Sequence, residues 1–147
     1  MKGKKIIRVR DVMKTSFGSI DGIATVHEAL KLMKALKSSV LVVNKLHEDD
    51  EYGLITAGDI ARHVLARDRA PDRVNVYEIM TKPVISVHQD MDIRYCSRLF
   101  AQYNLVRAPV IDGRKVIGTI SPNALVLDGL YSLAENGNLS GIDRQNP

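Results

Sequence analysis

The sequence predicts an α/β (α+β-like) fold made of two successive copies of one β-α-β-β-α unit. The first observation behind this prediction is a repeated segment, Val12-Met13-Lys14 and Ile79-Met80-Thr81, whose methionines stand 67 residues apart. The second is that short apolar runs alternate, after each methionine, with segments whose apolar residues recur at helical spacings of three and four. An internal repeat of this kind determines the architecture before any propensity argument does.

The first copy is predicted over residues 9–68. An apolar stripe at helical spacing marks its long helix, and Thr25 is a suitable residue to begin that helix. The predicted elements are, in order, an extended segment at 17–20, the long helix with Val26, Ala29, Leu30, Met33 and Leu36 on one face, a strand at 40–43, an acidic loop at 45–51, a strand at 52–55, and a helix from Asp59 to about residue 68.

The second copy is predicted over residues 76–135. Asp112-Gly113 is a two-residue turn of the type that matches the twist of a hairpin. Because the loop of the first copy is longer by two residues net, the separation of equivalent residues falls from 67 to 65 after the hairpin. The predicted elements are an extended segment at 84–87, a helix begun by Asp90 or Asp92 with Ile93, Cys96, Phe100 and Tyr103 on one face, strands at 108–111 and 115–120, and a helix from Asn123 to about residue 135.

Three further segments lie outside the two copies. Residues 1–8 are basic and then apolar, and they form either an arm or a strand that joins a sheet. Residues 69–75 are a charged linker with Pro71, a residue that stops helices. Residues 136–147 are rich in turn formers, and we expect them to be a disordered tail.

The composition indicates a globular protein of ordinary type. The chain has 147 residues, of which 45% are hydrophobic and 26% charged, enough to bury a core. No apolar run approaches the length of a membrane span and no signal-peptide core follows the basic start, so we expect a cytoplasmic location. The single cysteine, Cys96, takes the position of Ala29 on the apolar stripe, and we expect it to be a buried small hydrophobe.

The segment Gly53-Leu54-Ile55-Thr56-Ala57-Gly58-Asp59 is the candidate functional motif. A strand here delivers a hydroxyl and a carboxylate to the start of a helix. The Asp59 carboxylate can take both hydroxyls of a ribose, while Thr56 holds one of them or a neighbouring phosphate, and the helix start favours an anionic group. The alternative is that Thr56 and Asp59 only cap the helix, since both types favour that position.

The whole pattern resembles the cystathionine-β-synthase (CBS) domain pair, known as a Bateman module. The residues that carry the resemblance are Val12-Met13-Lys14, the segment from Thr25 to Ala29, Leu41-Val42-Val43 and the Gly53–Asp59 motif, with Ile79-Met80-Thr81, Arg107-Ala108-Pro109-Val110 and Gly118-Thr119-Ile120-Ser121 in the second copy. The resemblance covers roughly residues 6–135. It implies two copies packed sheet to sheet with pseudo-twofold symmetry, clefts between them, and a disc-like homodimer.

The resemblance also implies an adenosine ligand: AMP, ADP, ATP or S-adenosylmethionine, with NAD a further possibility. The family's ribose pattern, Gly-x-x-(Thr/Ser)-x-x-(Asp/Asn), is complete in the first copy. A base pocket is implied after the first methionine, with stacking on Phe17 as one option, and a phosphate contact is implied at Arg107. The implied nucleotide-binding residues are Thr15, Ser16, Phe17, Ile20, Gly53, Leu54, Ile55, Thr56, Asp59 and Arg107.

The second copy departs from the ribose pattern. Gly118 and Ser121 match, but Ala124 stands at the acidic position, and Asn123 is one residue early, about 100° away around the helix. We therefore expect one competent site per chain. The residues assigned to the second cleft are Pro83, Ile85 and Ser121.

No catalytic or metal site is predicted. The acidic run at 47–51 is interpreted as a solvated hairpin tip, because a hard-cation loop needs spaced ligands and a turning glycine. No Ser-His-Asp, paired-carboxylate or Walker pattern stands out. The sequence thus predicts a non-catalytic nucleotide sensor that requires no cofactor and acts on an unidentified regulated protein.

Two alternatives remain open. The first is a structural or interaction module whose clefts are vestigial. The second is a nucleic-acid-binding protein, suggested by the net charge of +4. The basic residues are scattered, however, and aromatic residues make up only 5% of the chain, whereas nucleic-acid sites combine a basic patch with aromatic side chains.

Overall fold

A computed structural model describes residues 5–136, and the chain divides into two compact units. The continuous unit runs from Ser16 to Ile85, and the split unit combines the residues up to Thr15 with those from Ser86 onward. Residues 1–4 of the predicted arm and residues 137–147 of the predicted tail lie outside the described part.

The predicted repeat of strands and helices is present. In chain order the elements are α1 (Val9–Val12), β1 (Gly18–Ile20), α2 (Val26–Leu36), β2 (Val40–Val43), β3 (Gly53–Thr56), α3 (Ala57–Ile60) with a π-helical continuation (Ala61–Leu65), a 3-10 turn (Pro71–Arg73), α4 (Val76–Ile79), β4 (Val87–His88), α5 (Ile93–Tyr103), β5 (Ala108–Asp112), β6 (Lys115–Ile120), and a π-helical segment (Ala124–Leu130) that continues into α6 (Tyr131–Glu135).

The continuous unit holds a three-stranded sheet in the order β1-β2-β3. β1 and β2 are parallel and α2 connects them, while β2 and β3 form the antiparallel hairpin, with Val40 opposite Thr56. The apolar stripe of α2 packs on the sheet and buries Val26 and Ala29 against Leu41 and Ile55. The helical spacing in the sequence therefore identifies most of the core face. Leu36, predicted on that face, is 45% exposed, and Tyr103, predicted on the core face of α5, is 52% exposed, because both lie at the last turn of their helices.

The split unit repeats this arrangement in the order β4-β5-β6, with α5 connecting the parallel pair. Cys96 and Phe100 on α5 are buried in its core with Val110 and Ile120. Burial raises the pKa of the Cys96 thiol to about 11, so the thiol is protonated at neutral pH.

Each unit also contains the leading helix of the other sequence copy. α1 belongs to the split unit, and α4 belongs to the continuous unit. Lys14 and Thr119 exchange two backbone hydrogen bonds of 2.9 Å, and Leu54 and Thr81 exchange two of 2.9 and 2.8 Å. The segment after each methionine therefore runs beside the hairpin of the opposite copy, which the repeat in the sequence did not reveal.

Two glycines make this close approach possible. A Cβ built on Gly118 would lie 2.6 Å from the carbonyl oxygen of Lys14, and one built on Gly53 would lie 3.1 Å from the carbonyl oxygen of Thr81. A Cβ at 2.6 Å would displace the Lys14 backbone, and a Cβ at 3.1 Å from the Thr81 oxygen would be tighter than most real Cβ contacts. The glycine that begins each Gly-x-x-(Thr/Ser) motif is thus explained by backbone packing.

Several element boundaries differ from the prediction, most of them by one residue. The helix predicted from Asp59 begins at Ala57, because the Thr56 hydroxyl accepts the Asp59 N–H and so caps the helix earlier. The hairpin turn is Gly113-Arg114, since Asp112 still pairs with Lys115 and Gly113 takes a positive φ of 63°. The extended segment predicted at 84–87 pairs with β5 only at Val87–His88.

Candidate ligand-binding site

Thr56 and Asp59 come together where β3 ends and α3 begins. The backbone N–H of Asp59 donates to Oγ1 of Thr56 over 3.1 Å, and the backbone N–H of Thr56 donates to Oδ2 of Asp59 over 2.9 Å. This reciprocal pair is a capping box. Asp59 is only 7% exposed, so its carboxylate is fixed in a largely buried position.

The second carboxylate oxygen of Asp59 has a charged partner. Nη2 of Arg62 donates to Oδ1 of Asp59 over 2.8 Å, from the next turn of the same helical stretch. The guanidinium side is open to solvent, with 65% of the Arg62 side chain exposed. The sequence analysis did not identify Arg62, although its position three residues after Asp59 on a helix was a usable signal.

The capping bonds leave acceptor capacity at the site. Each carboxylate oxygen has two lone pairs, and a Thr hydroxyl can donate its proton while it accepts a hydrogen bond. The arrangement therefore offers a pre-oriented carboxylate and hydroxyl to the hydroxyl groups of a ligand. The capping interpretation and the binding interpretation of Thr56 and Asp59 are compatible.

Gly53, Leu54 and Ile55 lead into this site along β3, and all three are buried. Ile55 belongs to the core of the continuous unit, and Leu54 makes the backbone bridge to Thr81. Gly53 lies against the side chain of Met80 as well, with its built Cβ 3.1 Å from the Met80 sulfur. These contacts give the three residues structural roles, and their part in ligand binding stays a prediction.

The predicted base-pocket residues of the continuous unit lie on and just before β1, two strands away from β3. Phe17, which is half-buried, directly precedes β1, whose first residue Gly18 is aligned with Leu41 and Ile55. Ile20 is aligned with Val43, at the other end of the sheet from Thr56.

A groove of about 530 Å³ opens at that other end of the sheet, with Ile20 in its wall. Its polar lining includes Asp21 and Asn44, whose side chains are joined by a hydrogen bond of 2.9 Å. Ser16 is exposed just before β1 in the same unit.

The remaining predicted residues are divided between the units. Pro83 and Ile85, assigned to the second cleft, belong to the continuous unit with Thr56. Thr15, Arg107 and Ser121 belong to the split unit. The leading segments are exchanged between the two copies. The segment that follows Met80 therefore lies beside Leu54, whereas the sequence analysis combined Leu54 with the segment that follows Met13.

The equivalent motif of the second copy has a cap but no acid. The backbone N–H of Ala124 donates to Oγ of Ser121 over 3.4 Å, in the place of the Thr56–Asp59 bond. Ala124 supplies no carboxylate, and Leu127 stands 65 residues after Arg62. The helix start is thus retained while both charged groups are replaced by apolar ones.

The acidic loop of the first hairpin makes specific contacts through Asp50. Its Oδ2 accepts from Nζ of Lys82 over 2.7 Å and from the backbone N–H of Leu46 over 2.9 Å. The Lys82 hydrogen bond, followed by backbone hydrogen bonds from Leu46 and Glu51, holds the pKa of Asp50 well below its usual range. Within residues 5–136, no group of three or more His, Cys, Asp or Glu side chains is placed to hold a metal ion.

Two basic residues near the start of the described part, Arg8 and Arg10, contact the split unit. Arg8 donates to the carbonyl oxygen of Asp90 over 2.7 Å, and Arg10 forms an ion pair with the Asp90 carboxylate. Ile7 is buried in the core of the split unit. Among the helices of the described residues, none is long and apolar enough to cross a membrane.

These repeated sheets and the Gly-x-x-(Thr/Ser) motifs define a tandem-domain protein of the CBS class. The family model of the CBS domain matches residues 9–66 and 76–127, one match per copy. The chain therefore belongs to the CBS domain family, and its fold is that of a CBS domain pair.

Relatives of similar length support this assignment. The CBS domain-containing protein YhcV of Bacillus subtilis is 26% identical over 94% of this chain and 96% of its own length. The hexameric CBS-CP12 protein of bloom-forming cyanobacteria is 36% identical, with a TM-score of 0.86 over 97% of this chain and 82% of that one.

The CBS domain pair of protein MJ0100, solved with 5-methylthioadenosine and S-adenosyl-L-methionine, is 26% identical, with a TM-score of 0.73 over 87% of this chain and 98% of that one. With two further curated relatives the match is partial and spans 47% of the length of one and 19% of the length of the other.

Proposed function

We propose that this protein is a non-catalytic regulatory module that binds an adenosine nucleotide through Thr56 and Asp59. The observation that carries the proposal is the largely buried Asp59 carboxylate, 7% exposed, held in one orientation by the Thr56 N–H. A carboxylate fixed in this way loses little conformational entropy when it accepts the two hydroxyls of a ribose.

The difference between the two copies supports the same proposal. The second copy caps its helix with Ser121 and has Ala124 at the acidic position, so the fold does not require the acid. A carboxylate that the fold does not require, retained in a buried position, favours a role in binding. We therefore propose one competent site per chain.

The ligand class comes from the relatives. The MJ0100 domain pair was solved with methylthioadenosine and S-adenosylmethionine, both of which carry an adenosine with a ribose diol. AMP, ADP and ATP present the same diol, so we propose an adenosine-derived ligand in this chain. Thr15, Phe17 and Arg107 remain predicted contacts to the rest of that ligand.

The proposed output is a shift between two conformations that a partner protein recognises. A ligand changes such an equilibrium only through its different affinities for the two states. We also propose self-association, since the last helix exposes Leu127 and Tyr131 at 67% and 62%, and the CBS-CP12 relative is hexameric. Sedimentation velocity measures this association directly.

The test is thermal shift and calorimetry with adenosine, AMP, ADP, ATP, methylthioadenosine, S-adenosylmethionine and NAD. At a ligand concentration of 100 Kd, the free energy of unfolding should rise by about 2.7 kcal/mol. Asp59→Asn should bind about 10- to 100-fold more weakly, because a hydrogen bond to a charged acceptor is lost.

The chain offers a matched control in the capping box of α2. Thr25 and Glu28 make the same reciprocal bonds, both of 3.1 Å, as Thr56 and Asp59 do. Thr56→Val and Thr25→Val should lower stability similarly, by about 1 kcal/mol, and only Thr56→Val should weaken binding. If no compound stabilises the protein, the interaction module with vestigial clefts becomes the better description.

A further inference from the structure

Arg62 lies beside the proposed sugar-binding carboxylate and has no role in the function proposed so far. Its Nη2 donates to Oδ1 of Asp59 over 2.8 Å, and 65% of the side chain stays exposed. This bond engages one of the five N–H donors of a guanidinium group. A largely exposed ion pair of this kind contributes little to folding stability.

The guanidinium group is folded back toward the start of the helix. A Cβ built on Gly58 would lie 3.2 Å from Nη1 of Arg62 and 3.6 Å from Oγ1 of Thr56. The side chains of Thr56, Asp59 and Arg62 therefore converge around Gly58. A hydroxyl, a carboxylate and a guanidinium group face the same small region.

The second copy lacks both the acid and the arginine of the first. Gly58, Asp59 and Arg62 correspond to Asn123, Ala124 and Leu127, each 65 residues further on. The helix of the second copy begins at the equivalent point without the acid or the arginine. Arg62 is thus present where Asp59 is present, and neither is needed to start the helix.

We propose that Arg62 is an anion-binding residue of this site, in addition to the contact predicted at Arg107, so that the ligand is a ribose that carries a phosphate. The inference rests on the proposed function, in which Asp59 and Thr56 hold the ribose hydroxyls. A guanidinium group binds phosphate oxygens through two parallel N–H donors. The bond to Asp59 leaves most of the N–H donors of Arg62 available for such a contact. Asp59 keeps the guanidinium beside the sugar.

This role predicts an order of ligands. AMP should bind more tightly than adenosine or methylthioadenosine, which lack the phosphate. S-adenosylmethionine places a positive sulfonium in the corresponding position and should gain nothing from a guanidinium group. The chain should therefore bind phosphorylated ligands more tightly than methylthioadenosine and S-adenosylmethionine, the two compounds in the structure of the MJ0100 domain pair.

The experiment is calorimetric titration of the full chain with adenosine and with AMP. In the Arg62→Ala variant, the AMP affinity should fall about 10-fold or more, while the adenosine affinity stays within about 2-fold. Arg62→Lys should keep part of the preference for AMP, because it retains the charge without the planar donors. Arg67→Ala is the matched control, since Arg67 is an exposed arginine on the turn that follows the same helix.

Each other outcome overturns the inference. Equal loss of AMP and adenosine affinity in Arg62→Ala would make Arg62 a group that only orients Asp59. Unchanged or tighter AMP binding would exclude a phosphate contact. If the unmodified chain binds neither compound, the proposed function itself fails, whereas normal binding with an insensitive Arg62→Ala variant refutes the Arg62 inference alone.

Discussion

At the residue scale, Gly53 and Gly118 explain why the Gly-x-x-(Thr/Ser) motif begins with glycine in both copies. The built Cβ of Gly118 lies 2.6 Å from the Lys14 carbonyl oxygen, and that of Gly53 lies 3.1 Å from the Thr81 carbonyl oxygen. The glycine of the motif therefore allows two backbone segments to pack closely, in addition to its place in the proposed ligand site. The sequence analysis assigned Gly53 to the ligand alone.

We expect Gly118→Ala to lower the free energy of unfolding by about 1–3 kcal/mol, because the new methyl group displaces the Lys14 backbone. Gly53→Ala should cost less, since its closest neighbours are 3.1 Å away. Gly22→Ala is the control, with its closest neighbour at 3.4 Å, and should be neutral or slightly stabilising. Urea unfolding measures all three, and equal stability of the Gly118→Ala and Gly22→Ala proteins would contradict this account.

Thr56 and Asp59 illustrate why local sequence left two interpretations open. A hydroxyl and an acid three residues apart satisfy a capping box and a ribose pattern equally well. The structure contains the capping box, and it also gives Asp59 an arginine partner at the i,i+3 helix spacing, which the sequence analysis did not use. Only the ligand experiments separate the two roles.

At the scale of elements, the acidic loop between β2 and β3 is fastened to the segment that follows α4. Asp50 accepts from Lys82 over 2.7 Å, and the two side chains are only 16% and 22% exposed. The bond joins residues that are remote in sequence, so no pattern of spacing predicts it. The loop is accordingly more than the solvated tip that the sequence indicated.

Asp50→Asn should lower the urea midpoint at pH 7, and the difference from the unmodified protein should narrow below pH 4. The pKa of Asp50 is lowered from 3.8 in the folded state. The contribution of the Asp50 carboxylate to the free energy of unfolding is therefore complete above its ordinary pKa. That contribution is lost at lower pH, where the unfolded chain takes up a proton at Asp50 before the folded protein does.

Asp49→Asn, in the same loop at an exposed position, is the control and should not change the midpoint. If Asp50→Asn lowers the urea midpoint by the same amount at pH 7 and at pH 3, the ion pair is not the cause of the change.

At the scale of the whole molecule, the compact units and the sequence copies are not the same stretches of chain. α4 is needed by the sheet of the continuous unit, where Val76 and Ile79 are core residues. A fragment of residues 9–68 lacks these side chains and leaves the Leu54 backbone without its Thr81 partner.

We therefore expect a fragment of residues 16–85 to fold cooperatively and a fragment of residues 9–68 not to do so. Far-ultraviolet circular dichroism during urea unfolding measures both, with the full chain as the reference. A cooperative transition in the 9–68 fragment would show that α4 is dispensable, and the absence of one in the 16–85 fragment would show that the continuous unit does not fold alone. The family-model match at 9–66 follows the repeat in the sequence, whereas the compact unit runs from Ser16 to Ile85.

The sequence by itself determined the repeat, the order of strands and helices within each β-α-β-β-α copy, most of the core faces of α2 and α5, and the missing acid at Ala124, but it did not predict the leading helices α1 and α4. These features follow from local periodicity and from comparison of one copy with the other. Only the tertiary structure decided which leading helix completes which sheet and that Lys82 contacts Asp50. Backbone pairing between remote segments and the direction of a long side chain leave no periodic signal in a sequence, because both depend on which surfaces come together when the chain folds.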